Sequence, residues 1–219
     1  MMDLSKAVFV NVDTQVDFMD KEGKLPIPNT DSIRPNLSKL TEFAKQKNIK
    51  VVNTMDWHFN DSKELSDNPD FVETFPQHCM ANTEGARFIK ETSPDPATTI
   101  VIDWSVQKGM NFHDIHRFRN IIIRKDAFDV FVGNSLTTAI INNLGIPFLD
   151  RPTFIVYGVS ENVCVKYAVE GLTKMGYGVK VVTDAMVGLP NIESPMEGWS
   201  KNEMIELVTT EQVVKLQTV

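Results

Sequence analysis

The sequence predicts an α/β protein: three layers, with a mostly parallel central sheet and helices on both faces. Three observations carry this. Short apolar runs alternate with segments whose apolar residues recur at helical spacing, the order of βαβ units. Several runs are continuously apolar, as in strands buried on both faces. A chain of 219 residues can bury a substantial core as one α/β domain, so residues 1–219 are read as a single domain.

The elements follow in order. Residues 7–12 form an apolar run broken by Asn11, a buried strand. Residues 32–47 place Ile33, Leu37, Leu40, Phe43 and Ala44 on one helical face. Residues 51–55 are a second strand, 98–102 a third, and 121–123 a fourth that ends at Arg124-Lys125. Residues 134–144 are helical, with Gly145 as C-cap. A strand at 154–157 leads to a helix at 163–175 closed by Gly176, and a strand at 179–182 follows. The spacing then predicts a helix over 200–207 and a short strand at Val213-Val214. Residues 64–96 are polar and rich in Pro, Asn and Asp, so they read as a structured loop.

Composition narrows the function classes. A net charge of −7, with scattered acidic residues, argues against a nucleic-acid groove or an anionic membrane surface. No segment has the roughly 18 apolar residues of a membrane span. Two cysteines make no disulfide framework, and the start of the chain does not read as an export signal. The expectation is free thiols in a reducing cytoplasm.

Ligands of parallel sheets bind at the carboxyl ends of the strands. Asp13, Asp56, Lys125 and the turn Gly158-Val159-Ser160-Glu161-Asn162-Val163-Cys164 all follow strands at that end. Cys164 sits just inside a helix, where the dipole eases ionisation and free N–H groups can hold an oxyanion. Asp13 can exchange a proton with the thiol, and Lys125 can balance negative charge. Taken singly, Cys164 reads as a small core residue, Asp13 as a turn or capping aspartate, and Lys125 equally as a surface lysine. Together they have the makings of a cysteine hydrolase. Asp17 is read as structural.

A second constellation surrounds them. Asp56 and His58 alternate around Trp57, so in extended chain they project to one side. His78 follows in Phe75-Pro76-Gln77-His78-Cys79, and Glu64 lies between. One Asp, one Glu and two His suit a divalent ion such as zinc, manganese or iron. Cys79 has no second cysteine nearby and is given a structural role. His113 and His116 lack a carboxylate companion and read as surface residues.

These stretches, in this order along nearly the whole chain, resemble the nicotinamidase branch of the isochorismatase-like cysteine hydrolases. The matching segments are Asn11-Val12-Asp13-Thr14-Gln15-Val16-Asp17-Phe18, Asp56-Trp57-His58, Pro76-Gln77-His78-Cys79, Arg124-Lys125-Asp126 and the turn ending at Cys164. The resemblance implies the isochorismatase-like hydrolase fold and a catalytic triad of Asp13, Lys125 and Cys164. It implies an oxyanion hole from the N–H groups of Ser160 and Cys164, beside a cis peptide at Val159-Ser160. It implies pocket walls at Phe18 and Phe75, and one divalent ion, zinc first, on Asp56, His58, His78 and Glu64. The implied substrate is a small amide, nicotinamide. Another small amide, an enol ether, or a catalytically silent binding role are the alternatives. Members are often oligomeric, so a homo-oligomer stays open. Two departures stand out: Asn82 replaces a glycine usual before Thr83, and residues 88–121, with Trp104, His113 and His116, form a longer stretch that is read as a cover for the site or a subunit contact.

Overall fold

The structure, a computed structural model, describes residues 4–104, 112–145 and 151–216. Seven strands form one parallel sheet: β1 (Ala7–Val12), β2 (Lys50–Asp56), β3 (Thr99–Ile102), β4 (Asn120–Lys125), β5 (Thr153–Val159), β6 (Gly178–Val187) and β7 (Ile205–Val208). Their spatial order is β3-β4-β2-β1-β5-β6-β7. The helices are α1 (Val16–Met19), α2 (Thr30–Gln46), α3 (Val130–Gly133), α4 (Thr137–Gly145), α5 (Lys166–Lys174), α6 (Met196–Ser200) and α7 (Thr210–Val214).

Strand side chains alternate between faces, and the core divides accordingly. Phe9, Val51, Ile122, Ile155 and Tyr157 join Leu37, Leu40 and Phe43 of α2 and Val213 of α7 in one cluster. Val8, Val10, Val52, Ile121, Ile123 and Val156 join Ile140 and Ile141 of α4, Val169 and Leu172 of α5 and Trp199 of α6 in the other. These are the expected three layers. At the end of α5, Gly176 takes a φ of 82°, while Gly176 N–H and Tyr177 N–H reach back to Thr173 O and Leu172 O. Those bonds close the helix as glycine permits.

Two expectations near the end are corrected. The helix expected over 200–207 is instead α6 followed by β7, because Ile205–Val208 pairs in register with Val179–Val182 of β6. Sheet pairing overrides the local pattern there. The strand expected at Val213-Val214 is α7, started by a capping box in which Thr209 and Gln212 each bond the other's backbone. The helix expected over 134–144 is α4, which starts three residues later at Thr137: Asn134 instead caps the end of α3, and its Oδ1 accepts from Leu136 N–H.

Residues 57–95 carry no helix or strand and lie over the carboxyl end of β1 and β2 through bridges Gln15↔Phe88 and His58↔Met80. Asn82 adopts a φ of 65°, a conformation asparagine tolerates better than most residues, so the loop keeps a glycine-like backbone. The stretch 88–121 contributes the edge strand β3, and Trp104 packs edge-on against Phe59. Its helical turn Phe112–Arg117 is held by Lys50 Nζ, which donates to Ile115 O and Phe118 O. His116 there is half-buried, and the His113 side chain lies outside the described residues.

Candidate active site

Strand register places the candidate groups. Asp56 and Lys125 are partners on β2 and β4, and Val12, the residue before Asp13, is paired with both Thr54 and Gly158. Gly158 has a φ of 122°, and a Cβ there would stand 2.1 Å from Val12 O. Only glycine lets β5 come this close as it turns toward Cys164. The Val159–Ser160 peptide is cis, and Glu161–Val165 winds as one π-helical turn before α5.

Lys125 is wholly buried, and its ammonium is the centre of the cluster. Nζ lies 3.0 Å from Asp13 Oδ2 and 3.7 Å from Cys164 Sγ, and it donates to Asp56 Oδ1. Asp13 Oδ1 accepts from Thr54 Oγ1 at 2.6 Å. Asp13, Asp56 and Cys164 present side-chain atoms all within 4.8 Å of one another. The ammonium among them faces both carboxylates and offsets one of their two negative charges.

The electrostatics differ from residue to residue. Burial raises the Asp13 carboxyl above its ordinary range, against the pull of Lys125. Burial acts on Asp56 in the same sense, but Lys125 and the two imidazoles outweigh it and hold Asp56 below the ordinary range. Burial opposes the Lys125 charge, yet Asp13 and Asp56 more than restore it, and its pKa is raised. Burial pushes the Cys164 thiol above the ordinary thiol range, against the pull of Lys125.

Beside this cluster, Asp56, His58 and His78 converge within the same 4.8 Å. Asp56 Oδ2 stands 3.8 Å from Nε2 of each imidazole. His78 Nδ1 lies 2.8 Å from Pro76 O, so it carries the proton and leaves the Nε2 lone pair free. Both ring nitrogens of His58 are buried with no hydrogen-bond partner among the described residues. Two imidazoles and a carboxylate oxygen, with buried nitrogens otherwise unsatisfied, fit a divalent ion. Glu64 falls outside this group: Phe128 N–H donates to its Oε1 at 2.5 Å, and Oε2 is buried unpartnered. Burial lifts its carboxyl to about 7.

A narrow pocket opens onto both groups, with about 350 Å³ of free space when its mouth to solvent is counted. Cys164, Ser160, Asp56 and His78 supply its polar lining, and Phe18, Phe75, Phe128, Val163 and Leu189 its walls. Phe75 meets Phe128 edge-on at 5.6 Å, and Phe18 tilts against His78 at 5.3 Å.

Several residues here escaped the sequence reading. Gln15 clamps Asp56: its Nε2 donates to Asp56 O and Ala86 O, and its Oε1 accepts from Asp56 N–H. Asp17, read as structural, is a buried hub accepting from Lys24 N–H and Cys79 N–H. Cys79 is itself fully buried, consistent with a packing role. Thr54, Phe128 and Leu189 carry no local signal, since each reaches the site only through the fold.

The isochorismatase domain family matches residues 7–212. The nicotinamidase of Escherichia coli K12 is 25% identical over 192 residues, covering 81% of each chain. The pyrazinamidase of Pyrococcus horikoshii, solved in complex with zinc, superposes with a TM-score of 0.65 at 25% identity, covering 93% of this chain and 99% of that one. An isochorismatase family protein from Desulfovibrio vulgaris superposes at 0.71 with 18% identity, covering 95% and 96%, a likeness of fold.

Proposed function

The chain belongs to the isochorismatase family, and we propose that within it the protein is an amidase that converts nicotinamide to nicotinate and ammonia. The observation that carries this reading is the buried Lys125 ammonium between Asp13 and Cys164, with Cys164, Asp56 and His78 together on the lining of a largely apolar pocket. The aromatic and apolar lining with a few polar groups beside the thiol suits a small ring bearing a polar substituent.

In the proposed reaction, Asp13 takes the thiol proton of Cys164, and the sulfur attacks the carboxamide carbon. The developing oxyanion is held by the N–H groups of Ser160 and Cys164, while Lys125 supplies positive charge. Asp13 returns the proton to nitrogen as the C–N bond breaks, releasing ammonia and leaving a thioester. A water that gives its proton to Asp13 then attacks the thioester carbon, and the thiol is restored as the acid leaves. The raised Asp13 pKa favours a group that alternately holds and releases a proton.

Phe18 and Phe75 would flank the ring. Asp56, His58 and His78 would hold a divalent ion, zinc by likeness to the Pyrococcus protein, and the bound ion would supply a Lewis acid for a ring nitrogen or water. Glu64 fits an outer position, fixing Phe128. The same reading takes the chain as one catalytic domain.

The test is ammonia release from nicotinamide and pyrazinamide by the wild type and Cys164→Ala. The substitution is expected to lower kcat by at least about 10³-fold. Substantial turnover by Cys164→Ala would refute the thiol mechanism. Release from neither amide would move the substrate to another small amide or an enol ether.

A further inference from the structure

Asn162 lies in the nucleophile turn, two residues before Cys164, and is only 6% exposed. Its carboxamide makes four hydrogen bonds. Oδ1 accepts from Ser160 Oγ at 2.7 Å and from Leu189 N–H at 2.9 Å. Nδ2 donates to Leu189 O at 2.8 Å and to Ile192 O at 2.7 Å. A primary amide has two donors and a two-lone-pair acceptor, so its capacity is filled. The partners also fix which way it points: two carbonyls require the nitrogen, and an N–H requires the oxygen.

Three of these bonds go to the loop at 188–192, which follows β6 at the carboxyl end of the sheet. The loop's own bond, from Ile192 N–H to Leu189 O, is long at 3.4 Å. Pro190 contributes no N–H. At Gly188 a Cβ would stand 2.8 Å from Asn162 Oδ1 and 2.9 Å from its Cγ, so the loop carries glycine where the amide approaches. The side chain presented by this loop to the cavity is Leu189, on the same lining as Cys164.

We infer that Asn162 is a positioning residue that sets substrate fit by hanging Leu189 beside Cys164, so that the width of the pocket is governed from the nucleophile turn. This rests on the cavity being where the amide binds. Asparagine is specifically required: an aspartate would still accept from Ser160 Oγ and Leu189 N–H, but would turn a carboxylate oxygen on Leu189 O and Ile192 O. The loop would then move off while the acceptor for Ser160 stayed in place.

The experiment compares wild type, Asn162→Asp and Leu189→Ala by two readouts. The first is the ratio of Cys164 labelling rates with iodoacetamide and with the bulkier N-phenylmaleimide, followed by peptide mass spectrometry. This needs no hydrolysis, so it decides the inference even if nicotinamide is not the substrate. The second is the split between KM and kcat for nicotinamide. In both variants the ratio, small reagent over bulky, is expected to fall about tenfold, with KM rising about tenfold and kcat falling less than about threefold, the pattern of lost binding rather than lost chemistry. A merely structural role would lower the fraction of active protein and leave the ratio where it was. An unchanged ratio in folded Asn162→Asp overturns the inference. Should that variant not fold, Leu189→Ala decides: an unchanged ratio there shows that Leu189 does not set the width.

Discussion

Replacing Lys125 by methionine tests whether its ammonium is the charge balance of the site. Methionine keeps most of the stem and deletes the charge that faces Asp13 Oδ2 at 3.0 Å and Asp56 Oδ1. At that separation a single pair is worth about 5–6 kcal/mol with an effective dielectric of about 20. The variant also no longer dehydrates an ammonium, and breaking a buried pair by removing one partner costs about 3–5 kcal/mol in practice. The stranded carboxylates have an escape, because one can bind a proton. Bringing an aspartate from its ordinary 3.8 to full protonation at pH 7 costs about 4 kcal/mol, which agrees with that range. The expected loss is therefore about 4 kcal/mol at pH 7, or about 8–16 °C in Tm for a chain of this size. Its pH dependence has a definite sign. The folded variant holds at least one proton more than its unfolded chain, whereas Lys125 keeps the wild-type carboxylates more fully ionised, so the loss shrinks by up to about 1.4 kcal/mol for each pH unit below 7, until the unfolded carboxyl also titrates near 4. Denaturant unfolding at pH 5, 6 and 7 measures it, with chelator present so that no ion at Asp56 stands in for the lysine. A loss under about 1 kcal/mol at pH 7, or one that grows as the pH falls, would refute the charge-balance argument.

Glu64, lifted by burial from 4.5 to about 7, binds its proton more tightly folded than unfolded. Stability from this group is complete below 4.5 and is lost as the pH rises through about 7, by up to about 3 kcal/mol before solvent screening is counted. Glu64→Gln keeps an acceptor for Phe128 N–H, so its unfolding free energy in chelator is expected to be flatter than wild type between pH 5 and 8; parallel curves would contradict the assignment. Gln15→Ala removes three buried hydrogen bonds, and at about 1 kcal/mol each should cost about 3 kcal/mol and weaken divalent-ion binding through a looser Asp56. Calorimetric titration with zinc checks the second part, and wild-type affinity in the folded variant would show that the clamp does not position the carboxylate.

Most of the site's chemistry was legible because it sits where strands end. Asp13, Asp56, Lys125 and Cys164 each follow an apolar run, and parallel pairing alone brings such ends together, as the Asp56↔Lys125 register shows. What stayed hidden depends on contacts between distant segments. Phe128 and Leu189 reach the cavity through loops whose course no local pattern specifies. Gln15 looks like any strand-end polar residue until the backbone of Asp56 is known to face it. Glu64 was placed by its type and neighbourhood, yet its oxygen is committed to a backbone N–H that only the folded chain supplies. At the end of the chain the missed signals were local. Thr209 and Gln212 have the spacing of a capping box, and Ile205–Val208 is short enough for either element until β6 offers a partner.

The order β3-β4-β2-β1-β5-β6-β7 gives the sheet a topological switch point at β1, from which the chain departs first to one side and later to the other. The candidate reacting groups come from the ends of β1 and β4 and the turn after β5, whereas the surrounding segments arrive from opposite halves: residues 57–95 from the β2 side, and 188–192 from the β6 side. The two halves are therefore separable units of variation. A graft of either loop from a relative that keeps its contacts to Gln15 and Asp17 or to Asn162 would re-cut one wall of the cavity and leave Asp13, Lys125 and Cys164 at the ends of β1, β4 and β5, so changes of substrate in such a sheet can be assembled one side at a time.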